Sequence, residues 1–591
     1  MTADDLSLDL EIVPFSRAGS YLAFSLYGHA TQQQIHQASG ADVHEAVYLR
    51  SVQGMAVRSS LLKIQLLADG APVACRVRTT PAVLRLERVD QPAHYAEFCI
   101  AEHETVRVRT QGVSLRFSVE VGDSPFDIAY SPDGERVEVV AYLAGLKLAL
   151  LPLDGAFTLD APWQGSRCVY IRIDFAPVAG AAGAECVIEG YQSTRTPHAV
   201  TETFDQAAAR VASEFRAWLD STLPVPEPYA AARALAAYIN WSCMVRPRGL
   251  LTRPAMYMSK NWMYKIWNWD NCFNALALAR QHPEMAWDQI QVFIDNQGDD
   301  GALPDHVTDA TRSFRYYKPP VQGWAIRQLL RLTPAIAAER AAQVYEPLCR
   351  WTEWWFSYRD DDSDGIPQYN HGNESGWDNG TSFAEGVPVE TPDLSAFLVV
   401  QMDTLAEIAA LLGKADDARA WSRRADELTE RLIAHSWDGT QFVSRRSETH
   451  TVPAGDTLIN YMPLLLGDRL PPEIRAALVQ GVQRFVTVQG MATETPVSPL
   501  YESDGYWRGP IWGPSTHLIV DGLLACGAHA LAETIQRRFC DMAAVNGMAE
   551  NFDAITGEGL RDRAYTWTSG IFLMLANRLE RVPDAGRSPV E

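Results

Sequence analysis

The apolar positions of this chain follow two patterns, and the change falls near residue 204. Before it, runs rich in Val, Leu, Tyr and Phe alternate with polar residues, as in Val106-Arg107-Val108-Arg109. A period of two is that of a half-buried strand. Strands are predicted at Ser20–Tyr27, Ala46–Val52, Leu61–Leu67, Ala82–Val89, Val106–Val121, Val137–Leu151 and Cys168–Phe175. Ala68-Asp69-Gly70 and Ser131-Pro132-Asp133-Gly134 supply turns between them. Many strands joined by short turns predict an antiparallel β-sandwich over residues 1–203.

After the change, Phe204, Ala208, Val211, Phe215 and Trp218 recur at helical spacing. Pro224-Val225-Pro226-Glu227-Pro228 stiffens the chain behind that helix, so 204–228 reads as a linker helix and a Pro-rich linker. About twelve further helical stretches follow, near 229–246, 270–281, 284–297, 321–331, 335–356, 393–411, 415–435, 457–465, 472–485, 513–526, 528–545 and 565–578. Six helical hairpins can close into an inner and an outer ring, an (α/α)6 barrel over 229–591. Nearly all the Trp-, Gly- and acid-rich segments fall between these helices, where loops would form one concave site. The expected fold is therefore multidomain: an N-terminal antiparallel β-sandwich followed by an (α/α)6 barrel.

Composition narrows the partners. The net charge of −22 argues against nucleic acid and anionic membranes and fits a neutral polar ligand. The nine cysteines form no C-x-x-C pair and no framework spacing, so buried free thiols are expected. The acidic start, Met1-Thr2-Ala3-Asp4-Asp5, lacks the basic and apolar regions of a signal peptide. No apolar run reads as long enough to span a bilayer. A cytoplasmic protein is the expectation; the sequence says nothing of oligomeric state.

The chemistry concentrates in a few segments. Asn373-Glu374-Ser375-Gly376-Trp377-Asp378-Asn379 sets two acids, an indole and amides around a glycine. Aromatic faces suit the C–H surface of a pyranose, and acids and amides suit its hydroxyls. Asp378 is the candidate general acid and must hold a proton near neutral pH. The bland reading of this segment is a helix cap with a capping glutamate. Glu550, in Met548-Ala549-Glu550-Asn551, is the candidate general base; otherwise it is a surface acid at a helix end. Trp267 and Trp269 could stack on sugar while Asp270 binds hydroxyls, or all three could be a buried cluster with Asp270 capping a helix. Gln322 and Trp324, in the stiff turn-rich segment Lys318-Pro319-Pro320-Val321-Gln322-Gly323-Trp324, are candidate sugar contacts; the bland reading is an ordinary helix–helix loop. In Tyr506-Trp507-Arg508-Gly509-Pro510-Ile511-Trp512, Arg508 could meet a sugar or carboxylate, orient an acid, or form a structural ion pair.

Asp360-Asp361-Asp362-Ser363-Asp364-Gly365 has the spacing of the first half of a calcium loop. Position twelve is His371 instead of glutamate, which excludes a true EF-hand. Asp360, Asp362 and Asp364 remain a candidate structural Ca2+ site, and no cofactor is required. The same acids echo the D-D-x-x-D magnesium motif of isoprenoid synthases, but they run straight into Gly365-Ile366-Pro367 and read as a turn.

Together these segments resemble glycoside hydrolase family 63 and, more distantly, the trehalases of family 37. The match rests on Trp267-Asn268-Trp269-Asp270, Glu374-Ser375-Gly376-Trp377-Asp378-Asn379, Tyr506 to Trp512, and Glu550-Asn551-Phe552 before Thr556-Gly557, over about residues 225–580. The resemblance implies an inverting mechanism, with Asp378 as general acid, Glu550 as general base and Asp270 binding the sugar to be cleaved. It also extends the sugar contacts to Glu374, Gly376, Trp377, Trp507, Arg508, Gly509 and Trp512. Inversion implies carboxyl groups about 6.5–9.5 Å apart, with room for a water. Phe552 departs from a tyrosine common in similar enzymes. The expected activity is exo-acting cleavage of an α-glucosidic bond in a small oligosaccharide or glucoside. The alternatives are hydrolysis of mannosylglycerate or glucosylglycerate, and a glycoside phosphorylase, which would need a phosphate pocket in place of Glu550.

Overall fold

The computed structural model describes residues 6–29, 33–34, 41–54, 58–122, 126–197 and 199–580. The acidic Met1–Asp5 start lies outside the described residues. Two antiparallel sheets of eight and nine strands face each other in the N-terminal region. Their inward side chains, among them Phe24, Leu49, Ile64, Phe98, Val108 and Ile188, form one buried cluster. The alternation read from sequence sets the register: Val106 pairs with Ile188 and Val108 with Cys186.

The segment Val106–Val121 is not one strand. It breaks at Gly112, whose φ of +67° favours glycine, into Thr105–Gln111 and Ser114–Val119. These two strands belong to different sheets. Tyr95–Glu102 and Gly183–Tyr191, which the apolar alternation does not single out, flank Thr105–Gln111 on its two sides.

The helical half closes as a double ring. Helix Asp270–Leu278 packs on Gln322–Leu332, which packs on Pro392–Leu411. The ring continues through Leu458–Arg469 and Gly513–Ala525 to Thr566–Glu580, which returns to Asp270–Leu278. The outer helices Ala230–Cys243, Pro283–Ile294, Ala337–Tyr358, Ala415–Ser436, Pro472–Gly481 and His529–Asn546 lean on this ring. Leu458–Arg469 is a 3-10 segment rather than an α-helix, because Pro463 lies inside it and Gly467 leaves helical geometry at φ 51°. Pro392–Leu411 is, among the described residues, a helix long and apolar enough to cross a membrane, contrary to the sequence expectation. Its composition follows from its place: an inner-ring helix is covered on nearly every side and so is apolar nearly all round.

Helix Phe204–Ser221 buries Phe204, Val211, Phe215 and Leu219 in the same core as the barrel. Buried polar groups join the sandwich to the barrel: Lys260 Nζ donates to Ser16 Oγ (3.0 Å) and Ser20 O (2.6 Å), and Arg50 reaches the carbonyls of Lys260 and Asn261. All nine cysteines are free thiols.

Candidate active site

Loops at one end of the inner ring line an open cleft. Trp267, Trp269, Asp270, Lys318, Asn373, Gly376, Asp378, Tyr506, Trp507, Glu550, Tyr565 and Trp567 are among its walls. Seven of the residues singled out from sequence are thus brought together: Trp267, Trp269, Asp270, Gly376, Asp378, Trp507 and Glu550.

Each acid is positioned by local geometry. Asp270 is the first residue of its inner-ring helix and is buried. Asp378 follows the short helix Gly372–Ser375, which His371 caps by accepting from Asn373 N and which Gly376 ends in the left-handed conformation (φ 77°). A Cβ on Gly376 would lie 2.6 Å from the Trp269 ring, so only glycine allows this approach. Asn379 ties this loop to the next: its Nδ2 donates to Gly505 O and its Oδ1 accepts from Trp507 N, both at 3.0 Å. Glu550 precedes the two-residue strand Asn551–Phe552, which pairs with Gly559–Leu560, and its amide donates to Asp562 O at 2.7 Å.

The electrostatics of the cleft are those of crowded acids set deep in its wall. Burial pushes Asp270 up to about 8, against the pull of Lys318. Burial, and then the neighbouring Asp562, push Glu550 up to about 8. Asp378 is also raised, first by its depth in the cleft, although its side chain keeps a third of its surface exposed. Lys318 opposes that rise from 3.9 Å. Lys318 itself is buried and anchored by donating to Asn373 O (2.6 Å) and Oδ1 (2.8 Å). The Tyr506 hydroxyl donates to Glu550 Oε1 at 3.2 Å, and the charges of Asp378 and Asp270 also act on this phenol. Glu550 Oε2 has no hydrogen-bond partner. Burial raises all three acids, so depth alone does not separate an acid from a base.

Other expected contacts stand behind the cleft wall. Trp377 packs against Trp507 with its ring tilted by 35° (4.8 Å), and Trp512 lies parallel to Trp507 at 3.9 Å. These two indoles support a cleft residue rather than touching the cleft. Glu374 is paired to Arg359 at 2.9 Å and accepts from Asn370 N, bracing the loop from below. Arg508 pairs with Glu502 at 2.9 Å and donates to Leu500 O, which realises its structural reading. Gly509 sits where a Cβ would meet Glu502 O at 2.4 Å. Gln322 and Trp324 fall inside the first turn of helix Gln322–Leu332, not in a loop. Gln322 bonds Asn268 and Trp351 and borders a separate apolar void, and Trp324 donates to Asp521 at 3.1 Å. The acidic turn Asp360–Gly365 is also off the cleft.

Sequence reasoning gave no role to Lys318, Tyr506, Asn379, Asp562, Tyr565 or Trp567. Lys318, Tyr506 and Asn379 lay inside noted segments; Asp562, Tyr565 and Trp567 carried no local signal.

A sandwich joined to an (α/α)6 barrel, with buried acids and indoles at one mouth, defines a glycoside hydrolase architecture. Residues 263–568 match the family model "Mannosylglycerate hydrolase MGH1-like glycoside hydrolase domain". The match takes in more than half of the chain, and the chain belongs to that family of glycoside hydrolases. The resemblance read from the motifs holds. Mannosylglycerate hydrolase MGH1 of Selaginella moellendorffii is 23% identical over 449 residues, covering 62% of this chain and 88% of that protein. Glucosylglycerate hydrolase of Mycolicibacterium hassiacum is 23% identical over 412 residues, covering 52% of this chain and 91% of that protein. A bacterial glucoamylase solved with acarbose superposes at a TM-score of 0.62 with 11% identity, over 97% of this chain and 94% of that one. That likeness concerns the fold and takes in the sandwich as well as the barrel.

Proposed function

We propose that this hydrolase cleaves a small glycoside of glycerate, mannosylglycerate or glucosylglycerate, with inversion at the anomeric carbon. The carrying observation is one cleft lined by Asp270, Asp378 and Glu550 together with Tyr506. The names of the relatives favour glycerate glycosides over the plain α-glucosides expected from the motifs.

In this reading Asp378 protonates the glycosidic oxygen as the bond to the anomeric carbon breaks. Glu550 takes a proton from the water that attacks the opposite face, and Tyr506 holds its Oε1 in place. Asp270 accepts from hydroxyls of the sugar being cleaved, and Trp267, Trp269 and Trp507 offer apolar faces to it. Lys318 is the one cation among the cleft-lining residues described, which suits an anionic leaving group or developing negative charge. The role of base falls to Glu550 by motif position; its raised pKa requires that it lose a proton before turnover.

The test is hydrolysis by purified protein of mannosylglycerate, glucosylglycerate and α-glucosyl disaccharides, with Asp378→Asn and Glu550→Gln in parallel. Preferred turnover of a glycerate glycoside, lost in both variants, is expected. Preference for disaccharides would reject the substrate class, and near-normal turnover in a variant would reject that residue's role.

A further inference from the structure

The acidic turn behind helix Ala337–Tyr358 meets two histidines and a buried glutamate. Asp364, Glu390, His435 and His450 each bring one donor atom within 4.8 Å of the other three. They come from that turn, from strand Val389–Glu390, from the last turn of helix Ala415–Ser436, and from the loop after strand Arg445–Arg446.

Glu390 is fully buried, yet neither of its carboxylate oxygens has a hydrogen-bond partner. Its Oε2 lies 2.8 Å from His435 Nε2, but the two are not aligned for a hydrogen bond, and that nitrogen too is unpartnered. Donor atoms that crowd together without aiming at one another are arranged as ligands of a shared third atom. A buried carboxylate without a hydrogen bond also calls for a counter-charge, which His435 supplies only when it is protonated. Asp364 turns Oδ2 toward both rings, 3.5 Å from His435 Nδ1 and 3.7 Å from His450 Nε2, while its Oδ1 accepts from Ile366 N.

Arg445 fixes the spacing of the cluster. Its guanidinium donates to the carbonyls of His435 (2.6 Å) and His450 (3.0 Å), and its backbone is paired with Glu390 across the two strands. One residue thereby registers three of the four side chains.

We propose that Asp364, Glu390, His435 and His450 bind one first-row divalent cation of the zinc type. Two imidazoles and two carboxylates suit such an ion; calcium and magnesium favour oxygen-only shells. The inference departs from the calcium loop read in the sequence. Asp360, Asp362 and Asp364 also bring donor atoms within 4.8 Å of one another, but that grouping offers carboxylates alone; Asp360 accepts from Gly365 N, and Asp362 accepts from Glu448 N and bonds His450 Nε2 at 3.3 Å. None of the four ligands lines the catalytic cleft. The ion would be structural, pinning the turn that leads into Gly372–Ser375 and Asp378.

The experiment strips the full-length protein with EDTA and dialyses it separately against zinc, calcium or magnesium. Bound metal is counted by mass spectrometry and the thermal midpoint is recorded. One retained zinc per chain is expected, with a midpoint that rises with zinc and not with calcium or magnesium. Zinc affinity should fall at least tenfold in Glu390→Gln and in His450→Ala, the latter at a partly exposed position that leaves the fold intact. Substoichiometric zinc, equal retention in His450→Ala, or a preference for calcium would overturn the proposal.

Discussion

Replacing Glu550 with glutamine keeps the side-chain volume and removes its charge. In the fold, burial and the nearby Asp562 raise this carboxyl from 4.5 to about 8. Between those values the folded chain holds a proton that the unfolded chain has released. A group raised in this way lends its full stability below its unfolded pKa and loses it as pH climbs toward the folded one. The loss is about 1.4 kcal/mol per pH unit, or roughly 2–3 kcal/mol between pH 6 and pH 8. Glutamine has no proton to lose there, so the variant escapes this decline. The gap in thermal midpoint between Glu550→Gln and wild type should therefore widen in favour of the variant, by about 2 °C, from pH 6 to pH 8. Differential scanning fluorimetry in matched buffers reads this directly, while hydrolysis by the variant should drop by about 10²–10⁴-fold. A gap that stays constant across this range would refute the raised pKa and the buried setting inferred for Glu550.

Asp378→Asn should lower kcat by about 10²–10⁴-fold while calorimetry shows substrate binding little changed; loss of binding instead would make Asp378 a binding residue. Gly376→Ala forces a left-handed residue and sets a Cβ 2.6 Å from the Trp269 ring. It should cost about 1–3 kcal/mol in denaturant melts and reduce kcat by shifting Asp378; an unchanged melt would remove the strain argument. Trp324→Phe removes the 3.1 Å bond to Asp521. It should cost about 1–2 kcal/mol of stability and leave KM unchanged; a raised KM would return Trp324 to the sugar site.

The helices were legible because inner and outer rings both bury one stripe or more, and that imprints a helical period on the sequence. Ring closure was legible only as a count of hairpins; the packing of Thr566–Glu580 against Asp270–Leu278 joins segments almost three hundred residues apart. Aromatic and acidic content marked loops that line the cleft but not the depth of each side chain. Trp507 reaches the cleft while Trp512, five residues on, lies stacked behind it. Gln322 and Trp324 misled because their helix begins at Gln322 and turns both side chains into the barrel wall. Lys318 could not be ranked from sequence, since its importance rests on Asn373, Asp305 and Asp378 meeting it in space.

The central claim is water attack with inversion, driven by Asp378 and Glu550. Proton NMR of the first-formed sugar from an α-linked glycosylglycerate tests it most directly. The account predicts the β-anomer first, with the α-anomer growing in only by mutarotation. An α-anomer formed first would contradict it.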